Sequence, residues 1–68
     1  MSIYNILNSN GDFIEEVKAN SARQALCIYL SNHEEMIDAM LWQSASGLWK
    51  LAEYDNKEDY MFALKAFD

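Results

Sequence analysis

Proline is absent from the 68 residues, glycine and cysteine are scarce at two and one, and there is a single histidine. Without proline or a Gly/Ser-rich stretch there is no linker to divide the chain, so residues 1–68 read as a single domain. The lone thiol, Cys27, cannot close an internal disulfide. Neither glycine lies in a loop pattern that would cradle phosphate. Uninterrupted apolar runs are also missing. Nothing approaches the roughly 18 apolar residues of a membrane span, and Met1-Ser2-Ile3-Tyr4-Asn5 lacks the basic start of a secretory signal. The expected address is the cytoplasm, which accords with an unpaired cysteine.

Positive charge is the last scarcity. Five Lys and Arg face eleven Asp and Glu, a formal charge of −6. A field of that sign repels phosphate backbones and anionic lipid, which excludes direct nucleic-acid and membrane binding as expectations. It favours a protein partner with a basic surface, including the Lys/Arg-lined channels of nucleic-acid enzymes.

Apolar residues make up 51% of the chain and are placed with period. Ile3–Leu7 and Phe13–Val17 flank Asn10-Gly11, a strong signal for a two-residue hairpin turn. In that register Ser9 opposes Asp12. Tyr4, Ile6, Phe13, Glu15 and Val17 then share the core face, and Ile3, Leu7, Ile14, Glu16 and Lys18 the other. Asn20-Ser21-Ala22-Arg23-Gln24 follows as a capping box, and Ala22, Ala25, Leu26, Tyr29 and Leu30 form the buried stripe of a helix. A second short helix capped by Asn32, carrying Met36, Ile37, Met40 and Leu41, is the less defined element.

Leu41–Ala45 and Leu48–Tyr54 flank Ser46-Gly47 as a second hairpin. The expected loop is the two-residue one, which puts Ser44 opposite Trp49 and lets Trp42, Trp49 and Leu51 form one apolar cluster on one face. A three-residue loop, Ala45-Ser46-Gly47, separates the two indoles. Asp59–Phe67 reads as a strand with Tyr60, Phe62, Leu64 and Ala66 on one face, the alternative being a helix capped by Asp55 or Asn56. The expected architecture is α+β: a small antiparallel sheet of about five strands, ββα then a β-meander, with one or two helices packed on one face.

Groups for chemistry are few. Cys27 and His33 are six residues apart, about 240° around a helix at roughly 100° per residue, and do not share a face as a nucleophile and base must. His33-Glu34-Glu35-Met36-Ile37-Asp38 has metal-ligand residue types, but a zincin helix needs a second His where Ile37 stands. No catalytic residue, cofactor or metal is therefore expected, and the chain does not read as an enzyme.

Interaction residues are the remaining candidates. The acidic ones are Glu15 and Glu16, Glu34, Glu35 and Asp38, then Glu53, Asp55, Glu58 and Asp59. Trp42 and Trp49 are the aromatic anchors. Glu53 and Asp55, about 6.6 Å apart on one face of an extended strand, would make a line of charge with regular spacing. In size and charge the chain is similar to the small acidic inhibitors by which phages and mobile elements block restriction or CRISPR enzymes. The expected function is a small acidic interaction module, in its sharpest form an inhibitor offering a phosphate-like surface. The alternative is a small-molecule or peptide sensor with an aromatic pocket. A domain this short buries only about 60% of its unfolded surface, so both a homodimer and a monomer are open.

Overall fold

The computed structural model describes residues 1–67. Strand β1 (Ser2–Asn8) turns into β2 (Phe13–Ala19), helix α1 (Ala22–Ser31) follows, and β3 (Ala39–Gln43), β4 (Trp49–Glu53) and β5 (Met61–Phe67) complete the chain. A single turn of 3-10 helix at Lys57–Asp59 precedes β5. The five strands form one antiparallel sheet in the order β2-β1-β5-β4-β3, with the last strand inserted beside the first. This is the α+β architecture that the periodicities predict, and the last segment is a strand, which begins at Met61 because Asp59 belongs to the 3-10 turn before it.

Both hairpins turn by the same device, and in both it is the three-residue loop. In the first, Asn8 and Asp12 close the loop (Asn8 N–H to Asp12 O, 2.9 Å), and Gly11 N–H donates to Asn8 O. In the second, Ser44 N–H donates to Leu48 O at 2.8 Å and Gly47 N–H to Ser44 O. Gly11 and Gly47 have φ of 88° and 94°, the left-handed conformation that closes a type I turn with a bulge. A two-residue Asn-Gly turn needs positive φ at both positions. Among the described residues Asp38 alone of the non-glycines has it, so Asn10 does not. Asn8 and Ser44 stabilise the loops further: Asn8 Oδ1 accepts from the N–H groups of Asn10 and Asp12, and Ser44 Oγ from that of Leu48.

The loop choice corrects two side-chain assignments. Leu7 opposes Phe13 while Ile6 opposes Glu15, so Ile14 is an extra residue in β2 and Phe13 crosses to the face of Leu7. Tyr4, Ile6, Glu15 and Val17 keep the expected core face, but Phe13 does not. In the second hairpin Gln43 opposes Trp49 and Trp42 opposes Lys50, which sends the two indoles to opposite faces.

Helix α1 begins as its sequence dictates. Ser21 Oγ accepts from Gln24 N–H at 3.1 Å, and the Gln24 side chain reaches back to the N–H of Asn20. Ala25, Leu26 and Tyr29 are buried against Tyr4, Ile6, Val17, Ala19, Leu51 and Ala63 of the sheet, and Ala22 and Leu30 flank them half-buried. No second helix follows. Asn32 is occupied as the C-cap of α1, its N–H bonded to Ile28 and Tyr29 carbonyls, so it does not cap a new helix. Residues 33–38 cross instead as an irregular segment. Met36 packs on the core, Ile37 is exposed, and Asp38 enters β3 at φ 53°.

Candidate functional site

The antiparallel topology decides where the carboxylates gather. Strands β1 and β4 end, and β2, β3 and β5 begin, at one end of the sheet. Asp12 lies in the first turn at that end. The segment between α1 and β3 brings Glu34, Glu35 and Asp38, and Glu53 closes β4 before Asp55, Glu58 and Asp59 in the connection to β5. The last two segments touch, Tyr54 N–H donating to Asp38 O at 2.8 Å. Lys18 and Lys65, opposite Ile3 and Tyr4, stand toward the other end.

Most of the predicted acidic candidates are thus brought together, although not as a regular line. Strand β4 ends at Glu53, and Asn56 N–H bonds back to Glu53 O, so Asp55 sits in a turn and the even spacing of Glu53 and Asp55 is not formed. Asp59 accepts from the Asn56 side chain at 2.9 Å. Glu16 is separate, exposed at mid-strand on the face away from the helix.

Sequence reasoning missed the role of His33. Its Nδ1 lies 2.9 Å from Glu35 Oε1, its Nε2 3.0 Å from Glu15 Oε1, and its ring stacks on Tyr29 at 3.9 Å between centroids. Two carboxylate partners suit an imidazolium, which donates from both nitrogens. The hydrogen bonds to Glu35 and then Glu15 raise the His33 pKa above its ordinary value, and the bond to His33 holds Glu35 below its own. Burial, then the charges of Glu15 and Glu35, raise the Tyr29 phenol. Glu15 is therefore an anchor for the segment after α1 as well as an acidic candidate. The signal available was Glu15 on the core face, where a carboxylate needs a partner.

Three of the five cations sit over rings: Arg23 over Trp49 at 5.4 Å, Lys50 over Tyr60 at 4.2 Å and Lys57 over Tyr54 at 4.8 Å. Trp49 is half-buried on the helix side, packed against the core. Trp42 is half-buried on the other side of the sheet.

That other side is the second unusual surface. Because Ala63 opposes Ile6 and Leu51 opposes Met61, the helix faces Met61, Ala63 and Leu51, while Phe62 and Leu64 point away. An extra residue at Ala66 then brings Phe67 opposite Ile3 on this outward side. Phe13, Leu64 and Phe67 are 61%, 49% and 66% exposed there. A solvated face of an antiparallel sheet is ordinarily polar. The sequence signal was present in Met61-Phe62-Ala63-Leu64, where consecutive apolar residues furnish both faces of one strand.

Among the described residues there is no pocket and no cluster of three His, Cys, Asp or Glu side chains able to hold a metal ion. No described helix is long and apolar enough to cross a membrane. No protein-family model matches the chain, and neither a curated protein nor a solved structure matches it.

Proposed function

We propose that the protein is a non-enzymatic interaction module that docks its acidic end on a basic protein surface. The observation that carries this reading is the gathering of Glu34, Glu35, Asp38, Glu53, Asp55, Glu58 and Asp59, with Asp12, at one end of the sheet. Like charges so placed create a local field that steers a basic partner and restricts its approach to one orientation. A partner whose ordinary ligand is nucleic acid is the sharpest version, since its groove already pairs cations with closely spaced negative charge. The alternative, a sensor with a concave pocket lined by Trp and Tyr, lacks support, since no pocket opens among the described residues.

The test is capture of basic proteins from cell lysate by the wild type and by a variant carrying Glu53→Gln, Asp55→Asn, Glu58→Gln and Asp59→Asn. Partners of the wild type should be released near 1 M salt, where screening shortens to about 3 Å, and by added double-stranded DNA. The variant should retain them weakly. Partners held equally by both proteins and at high salt would overturn the reading.

A further inference from the structure

We propose that the sheet face opposite α1 is the interface of a homodimer, in which two copies stack face to face with their strands running in opposite directions. This goes beyond the acidic-end reading and does not depend on it. Leu7, Phe13, Trp42, Phe62, Leu64 and Phe67 share this face, and Phe13, Leu64 and Phe67 are largely exposed. An apolar face of this kind on a small domain marks an interaction site.

Charge and shape select a second copy as the occupant. The charged residues whose strand positions face this way are Glu16, Lys18 and Lys50, so the acidic excess of the chain lies elsewhere and a basic partner is not drawn here. The face belongs to a continuous sheet, and no pocket opens among the described residues for a peptide or small ligand. An apolar sheet face is complementary to another sheet, with side chains meeting in a layer about 10 Å thick. Five strands about 4.8 Å apart and about 20 Å long give on the order of 500 Å² per copy, hence about 1,000 Å² in total, the lower bound for specific association.

Charge also selects the orientation. A two-fold axis along the strands would stack one acidic end on the other. An axis across the strands sets each acidic end over the opposite end of its partner, where Lys18 lies, and keeps the two clusters apart. At −6 per chain the second arrangement is favoured. It leaves both acidic ends open at opposite extremities of the dimer.

Sedimentation equilibrium between about 5 and about 500 µM tests the proposal, since an interface near the lower size limit gives an equilibrium in that range. The average mass should rise with concentration from one chain toward two. Leu64→Lys and Phe13→Lys should each weaken association at least tenfold, with circular dichroism unchanged. Leu64→Gln, a milder change at an exposed position, serves if either lysine variant unfolds. Ile37→Lys, exposed in the segment between α1 and β3 and not on a strand, should leave the equilibrium as it was. Isotope-filtered contacts between Ile3 of one copy and Leu7 of the other report the crossed orientation. A constant single-chain mass, a dimer indifferent to Leu64→Lys, Leu64→Gln and Phe13→Lys, or contacts of Phe62 with Phe62 across the copies, which the axis along the strands would give at the central strand β5, would overturn it.

Discussion

His33 and Glu15 are eighteen residues apart in the chain, yet the imidazole Nε2 lies 3.0 Å from the carboxylate Oε1. The contact ties the segment after α1 to the second strand, and the Nδ1 bond to Glu35 makes the histidine a hinge between two carboxylates.

Stability should therefore depend on the charge of His33. Its pKa is raised on folding by the bonds to Glu35 and Glu15, so its contribution is full below the ordinary value of 6.5 and is lost as pH rises through the raised value. Glu35 is depressed below its ordinary 4.5, so its contribution is present above that value and lost as pH falls through the depressed one. The maximum belongs between the two. The urea midpoint should be higher near about pH 5.5 than near about pH 8.5 in the wild type, and His33→Gln should flatten that difference. A midpoint that rises steadily to about pH 8.5 would contradict the imidazolium assignment.

The turns make a separate prediction. Gly11 and Gly47 at positive φ should each cost about 1 kcal/mol when replaced by alanine, although neither position is crowded. Asn10→Ala should change the urea midpoint little, because the middle of a type I turn accepts most residues. Asn8→Ala should cost more than Asn10→Ala, since Asn8 Oδ1 receives two backbone donors. A large loss at Asn10 would restore the two-residue turn.

What the sequence could reveal divides along the same line. Local devices are legible: Ser21 and Gln24 cap α1 as expected, and its buried stripe is the predicted one. Register is not, because the Asn10-Gly11 and Ser46-Gly47 pairs resemble two-residue turns while Asn8 and Ser44, three residues before each glycine, favour the longer loop. The acidic residues are visible as separate runs, but their convergence depends on β5 inserting beside β1, a long-range pairing. His33 reads as a failed metal ligand until the fold supplies Glu15.

The core should be unforgiving in so short a chain. Leu26 is fully buried at the centre of α1, and Leu26→Ala should cost about 2–5 kcal/mol. At about 0.05–0.15 kcal/mol per residue the total stability is of the same order, so this variant should be largely unfolded by circular dichroism at room temperature. Ser21→Ala, which removes the cap alone, should cost about 0.5–2 kcal/mol and leave a folded protein with a lower urea midpoint.

The two tryptophans test the second hairpin. Arg23 lies over the Trp49 ring on the helix side, and Trp42 opposes Lys50 on the other side. Arg23→Gln should therefore shift the emission of Trp49, measured in a Trp42→Phe background, toward the red and make it easier to quench with acrylamide. The stability cost should be about 0.5–1 kcal/mol, the scale of an exposed cation over a ring. In a Trp49→Phe background the same change should leave Trp42 emission untouched, because the sheet stands between the two sites. A two-residue loop would place both indoles under the helix and make both respond. Equal responses would therefore reject the three-residue register, and with it the assignment of Trp42 to the face opposite the helix.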